Sequence, residues 1–192
     1  MSWLAIISIL VSVFALTISA YTAWLTFLRK GRIKMTRPVQ FYIGADISNR
    51  TVPKVHFRSL LFSTAKRGQI LEDMYVKLSN KSVSKNFVIW VYGEQKLMRG
   101  AGLFVSETGI TLNHHFIPLD DDMEIEFISG NYHIEIYTRA LGMHSYEKIQ
   151  EANLNITKED AVELESKNTG AYYDWNPETQ KYHIKIREVP DL

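Results

Sequence analysis

Lys181, His183, Lys185 and Arg187 stand two residues apart near the C-terminal end of the chain. Successive side chains of a strand point to opposite faces, so a strand here places all four on one face. Such a row of cations suits a small anionic ligand or a lipid headgroup. The same row on an exposed edge strand discourages pairing with another sheet, and that is the more economical reading of these four residues. His114 and His115 are adjacent, so in a strand they face opposite ways and cannot grip one ion together. One of them is then expected to be a hydrogen-bonded core residue. Asp120, Asp121 and Asp122 lack the alternating spacing and the glycine of a calcium loop and read as an acidic turn. His133-Ile134-Glu135 fits the H-x-E of zinc deaminases, but that chemistry needs a cysteine pair and the chain has no Cys. No nucleophile elbow, zinc-protease, phosphate-loop or dinucleotide motif occurs. The sequence therefore names no catalytic residue, no metal ligand and no cofactor. A site assembled from scattered residues is the remaining route to an enzyme.

What would position these residues begins with the stretch from Trp3 to Leu28. It holds 26 residues with no charge, no Pro and no Gly. As a helix it is roughly 39 Å long, enough to cross a hydrocarbon core of about 30 Å with some tilt. Trp3, Tyr21 and Trp24 stand where interfacial aromatic residues belong. Within it, Ala5, Ser8, Ser12, Ala15, Ser19, Thr22 and Thr26 follow at alternating steps of three and four. Small residues on one seam let two helices approach closely, so self-association in the membrane is expected. A hydroxyl-lined pore in a higher oligomer is a sharper variant. Hydroxyls bonded to their own helix, with the seam facing lipid or another protein, are the plain one.

Arg29, Lys30, Arg32, Lys34 and Arg37 follow the span at once. The positive-inside rule then expects the N-terminus outside and the rest of the chain in the cytoplasm, anchored in the inner (plasma) membrane by a single pass. The cluster is also suited to anionic lipid headgroups. It takes 5 of the 22 basic residues, leaving 17 against 21 acidic ones, a net charge of −4 beyond it. A mildly acidic domain argues against nucleic-acid binding. Residues 29–38 read as a short basic linker that holds the domain near the bilayer.

Beyond the linker the chain runs as short alternating segments. Strands are expected at Val39–Gly44, Val55–Ser63, Ile70–Ser79, Phe87–Tyr92, Leu103–Val105, Ile110–Ile117, Met123–Ile128, Tyr132–Thr138 and Ile149–Ile156, with a short piece near Leu97. Thr157 with Asp160 signals a capped short helix, closed by Lys167, Asn168 and Gly170. A hairpin follows from Ala171 to Arg187. Frequent short strands suggest a β-sandwich.

Gly130-Asn131-Tyr132-His133-Ile134-Glu135-Ile136 resembles the tyrosine corner of immunoglobulin-like domains. The run from Met74 to Tyr137 is similar to bacterial adhesion-type members of that group. The resemblance implies an antiparallel immunoglobulin-like sandwich over 39–156, with residues 157–192 adding a helix and hairpin, and it implies little about function. The cysteine pair of antibody domains is missing, and Trp90 is left as a candidate core tryptophan.

The expected whole is all-β with one N-terminal transmembrane helix over residues 3–28: a membrane-anchored binding, sensing or assembly module that self-associates. Its partners would be the bilayer, copies of itself, and a protein or small anionic ligand. A pore-forming, membrane-disrupting effector triggered by ligand binding to the sandwich is the alternative from another class.

Overall fold

The computed structural model describes residues 2–45, 52–94, 96–100, 102–120, 127–165 and 169–188. The apolar span forms α1 (Trp3–Ala23) and ends in a π-helical turn, Trp24–Leu28. None of its residues is buried. By length and composition it can cross a membrane, a property it shares with signal sequences.

Alternating sequences then build two antiparallel sheets. The strands are β1 (Ile33–Met35), β2 (Gln40–Ala45), β3 (Pro53–Ser63), β4 (Gln69–Ser79), β5 (Ser84–Phe87), β6 (Ile89–Gly93), β7 (Met98–Arg99), β8 (Leu103–Val105), β9 (Ile110–Ile117), β10 (Gly130–Ala140), β11 (Glu147–Ile156), β12 (Thr169–Asn176) and β13 (Lys181–Glu188), with α2 (Lys158–Leu164) between β11 and β12. The larger sheet runs β13-β12-β2-β3-β9-β6-β7, with β1 also on β3. The smaller runs β11-β10-β4-β5, with β8 on β4. The inner orders β2-β3-β9-β6 and β11-β10-β4-β5 correspond to strands A-B-E-D and G-F-C-C′ of an immunoglobulin-type sandwich.

The core lies between the sheets because each strand turns every second residue inward. Met74, Val76 and Leu78 of β4 are buried, while Tyr75, Lys77 and Ser79 face out. Opposite them, Phe41, Phe57 and Phe116 pack from the larger sheet, with ring centroids 5.4 and 5.5 Å apart. The tyrosine corner is present. Tyr132 is buried, and its hydroxyl both donates to the Ile128 carbonyl and accepts from the Ile128 N–H, each at 3.0 Å.

Four features differ from the sequence expectation. The run Phe87–Tyr92 is not one strand. The chain crosses from the smaller to the larger sheet at exposed Val88, so Phe87 ends β5 while Trp90 and Tyr92 face the core from β6. Residues 29–38 are not a free linker. β1 pairs with β3, Thr36 exchanges hydrogen bonds with Leu60, and Pro38, which has no N–H to give, lies between β1 and β2. Gly170 is no helix stop. It lies in β12 against Tyr42, whose ring a Cβ would meet at 2.4 Å. The C-terminal hairpin is part of the main sheet, because β12 pairs with β2 and buries Tyr173. Thr157 and Asp160 do form a reciprocal cap on α2, with bonds of 3.1 and 2.9 Å. The strand expected at Met123–Ile128, the acidic turn from Asp121, and Lys167 and Asn168 fall wholly or largely outside the described residues.

Candidate functional site

The outer face of the smaller sheet brings together residues that its alternation turns away from the core. Tyr75 of β4 and Tyr137 of β10 are cross-strand partners and stack with centroids 4.8 Å apart and planes 4° from parallel. Tyr146 meets Tyr75 edge-on at 4.9 Å and donates to the Asp73 carboxylate at 2.5 Å. Burial, and then that acceptor, push the Tyr146 hydroxyl up to about 12. Beside the tyrosines, Lys148 donates to Glu135 at 3.0 Å and to Glu151 at 2.5 Å. Its ammonium holds the Glu135 carboxyl below the usual carboxylate range.

His133, Glu135 and Glu151 bring three possible ligand atoms within 4.8 Å of one another. Lys148 already supplies a cation to both carboxylates, and His133 shares Nδ1 with Asn153 at 2.9 Å. The cluster is built as an ion-pair network. The sequence showed His133, Glu135 and Tyr137 on one face of a strand. It did not show that β4 and β11 bring Tyr75 and Lys148 beside them, because strand order is a long-range property.

The basic row of β13 stands on the outermost strand of the larger sheet. Lys185 pairs with Asp174 at 2.7 Å, and Gln40 donates to the same carboxylate at 2.5 Å. His183 shares Nε2 with the Thr179 hydroxyl at 2.9 Å, and Arg187 lies over the Tyr172 ring at 5.6 Å. Three of the four therefore have local partners in this strand pair, an arrangement suited to guarding an edge. Lys181 begins the strand and is exposed.

The five basic residues after the span separate. Lys30 and Arg32 border a cleft beside the turn that joins β3 to β4. Lys34 is exposed on β1. Arg37 is drawn away and stacks over Trp175, 4.0 Å from its centroid. In α1 the seam hydroxyls of Ser12 and Thr22 donate to the carbonyls of Ser8 and Ile18, each at 2.8 Å, and Thr17 off the seam does the same to Val13. A helix in hydrocarbon satisfies these groups internally, and the same hydroxyls remain on the surface available to a second helix.

The histidines separate as their spacing implies. His114 is fully buried and accepts from Trp90 Nε1 at 3.2 Å, so its proton sits on Nε2. Burial, with His56 a smaller repulsive influence, lowers His114 to about 3. His115 faces the other way and lies against His56, with ring centroids 4.3 Å apart. His56 is lowered to about 4, by burial first and then by Lys54. Trp90 is thus a core tryptophan, but it stands on the strand equivalent to D, not on the C strand that carries the tryptophan of antibody domains.

No known family model matches the sequence. No curated protein matches it either. Among solved structures, a family 123 glycoside hydrolase from Clostridium perfringens is similar over 68% of this chain and 28% of its own, at 8% identity and a TM-score of 0.32. A likeness at that level carries no argument about activity, and this chain spans well under a third of that enzyme's length.

Proposed function

We propose that this protein is a membrane-anchored module for binding, sensing or assembly. Its N-terminus lies outside and its sandwich on the cytoplasmic side of the inner (plasma) membrane. One observation carries the reading. Trp3–Leu28 is charge-free and strongly apolar, and none of its residues is buried or belongs to the core of the sandwich. The core is complete without it, so its surface has to be covered by lipid or by other helices.

The orientation is supported by the basic residues that follow Leu28 directly. Self-association is supported by the small-residue seam. The recognition surface is assigned to the outer face of β4, β10 and β11. Its tyrosines are held by stacking and its charges by mutual pairing, so little side-chain freedom remains to be lost on binding. A reporter fused after Leu192 should be active only where the cytoplasm is required. Activity restricted to the opposite side refutes the orientation, and release of the full chain by alkaline carbonate refutes the anchor.

A further inference from the structure

We propose that the helix-proximal end of the sandwich docks on the bilayer itself, with an anionic lipid headgroup seated in the cleft between Arg32 and Arg67. The inference rests on the reading of Trp3–Leu28 as a membrane span, and adds a lipid site on the folded domain.

The cleft has a volume of about 550 Å³ and is walled on one side by Lys30, Gly31 and Arg32, the residues that leave the helix. They are fixed to the domain. Gly31 accepts from the Gln69 side chain, Arg32 N–H donates to the Thr64 hydroxyl at 2.8 Å, and Thr64 N–H returns a bond to the Arg32 carbonyl at 3.0 Å. Gly31 lies so close to Ala65 that a Cβ would meet its backbone nitrogen at 2.7 Å. Only four residues separate Leu28 from β1, so the Arg32 backbone lies within roughly 14 Å of the end of the span. A headgroup layer is about 5 to 8 Å thick on each side. The chain therefore holds this end of the sandwich beside the lipid surface, with only several ångströms by which it can lift away.

The chemistry of the end suits that surface. Arg67 of the β3–β4 turn joins Lys30 and Arg32 at the cleft, and Glu147 is the one carboxylate among the described residues that line it. None of the three cations makes an ion pair among the described residues. Around them Phe104 of β8 is 59% exposed and Leu141, in the turn joining β10 to β11, is 62% exposed. Exposed apolar side chains beside these cations make the mixed surface that sits at a headgroup and acyl boundary. They come from separate segments of the chain, brought to the end where the helix leaves.

Because the chain has no Cys, single labels are clean. Leu141→Cys would carry a fluorophore at the proposed contact, and Ser82→Cys would carry one at the far end of β4, about 33 Å away along the strand. The full chain is placed in nanodiscs of phosphatidylcholine, with or without phosphatidylglycerol, containing a headgroup spin-labelled lipid as quencher. The Leu141 label should be quenched, more strongly with phosphatidylglycerol, and the Ser82 label should not. Changing Lys30, Arg32 and Arg67 to Gln should lower the docked-to-undocked ratio by about fivefold per cation, on the order of a hundredfold in all. Equal quenching at both positions, or no response to phosphatidylglycerol or to the three substitutions, overturns the docking while leaving the anchor intact. A chain that does not stay in the discs overturns both.

Discussion

Buried His114 makes the sandwich sensitive to acid in a way that can be worked out in advance. Its Nδ1 accepts from Trp90, its ring packs beside Phe57 and Phe116 with centroids 5.4 and 6.5 Å away, and burial lowers its pKa from 6.5 to about 3. The depressed value fixes the sign. Above pH 6.5 the imidazole is neutral in folded and unfolded chains alike, and nothing is lost. Below that the unfolded chain takes up a proton that the folded chain refuses, so stability falls until the folded pKa is reached. Each pH unit in that window costs about 1.4 kcal/mol, so going from pH about 7.5 to about 5 costs roughly 2 kcal/mol through His114. For a domain of this size that is a drop of about 4 to 8 °C in melting temperature. His56, partly exposed and lowered to about 4, adds a smaller loss of the same sign. His114→Gln keeps an acceptor for Trp90 and removes the titration. It should be less stable than the parent near neutrality, by about 1 kcal/mol for imperfect packing, yet lose about 2 kcal/mol less on acidification. The assay is thermal unfolding of the full chain in detergent, followed by near-ultraviolet circular dichroism across that pH range. Parallel pH curves for parent and variant, or a His114 resonance titrating near its ordinary value, would refute the reasoning.

Three further outcomes are expected. Tyr132→Phe removes the hydroxyl that serves both backbone groups of half-exposed Ile128 and should cost about 1 kcal/mol, and an unchanged melting temperature would mean that the corner contributes nothing. Ser12→Leu with Ser19→Leu should weaken helix association in lipid by holding backbones apart, whereas Leu10→Ala with Phe14→Ala should not, and cysteine crosslinks along positions 5–26 that peak on the Leu/Phe face would sink the seam. Changing Lys181, Lys185 and Arg187 to Gln should alter stability by less than about 1 kcal/mol, since the Lys185–Asp174 pair is solvent-exposed, and the edge-guard reading fails if the full chain in detergent binds a soluble polyphosphate and the change abolishes that binding.

The sequence by itself determined whatever is local or periodic. The membrane-length span follows from a charge-free run, and the inward residues of β4 and β10 follow from strict alternation. The cap at Thr157 and the corner at Tyr132 depend on partners three and four residues away, so short motifs report them. Opposite facing of His114 and His115 follows from strand geometry alone. Tertiary structure decided which strands become neighbours. An apolar run cannot reveal that the chain changes sheets at Val88, because Phe87 and Trp90 are both inward and differ only in the sheet from which they point. Nor can Gly170 be told from a helix stop until Tyr42, 128 positions earlier, lies across it. Arg37 looked like one more juxtamembrane cation, and only the return of the C-terminal hairpin to β2 sets Trp175 beneath it. The Tyr75–Tyr137 stack, the Lys148 network and the cleft at Arg32 and Arg67 all join segments far apart in the chain. Their positions depend on backbone pairing and on one shared core, whose free energy is a property of the whole fold, and no window of sequence contains it.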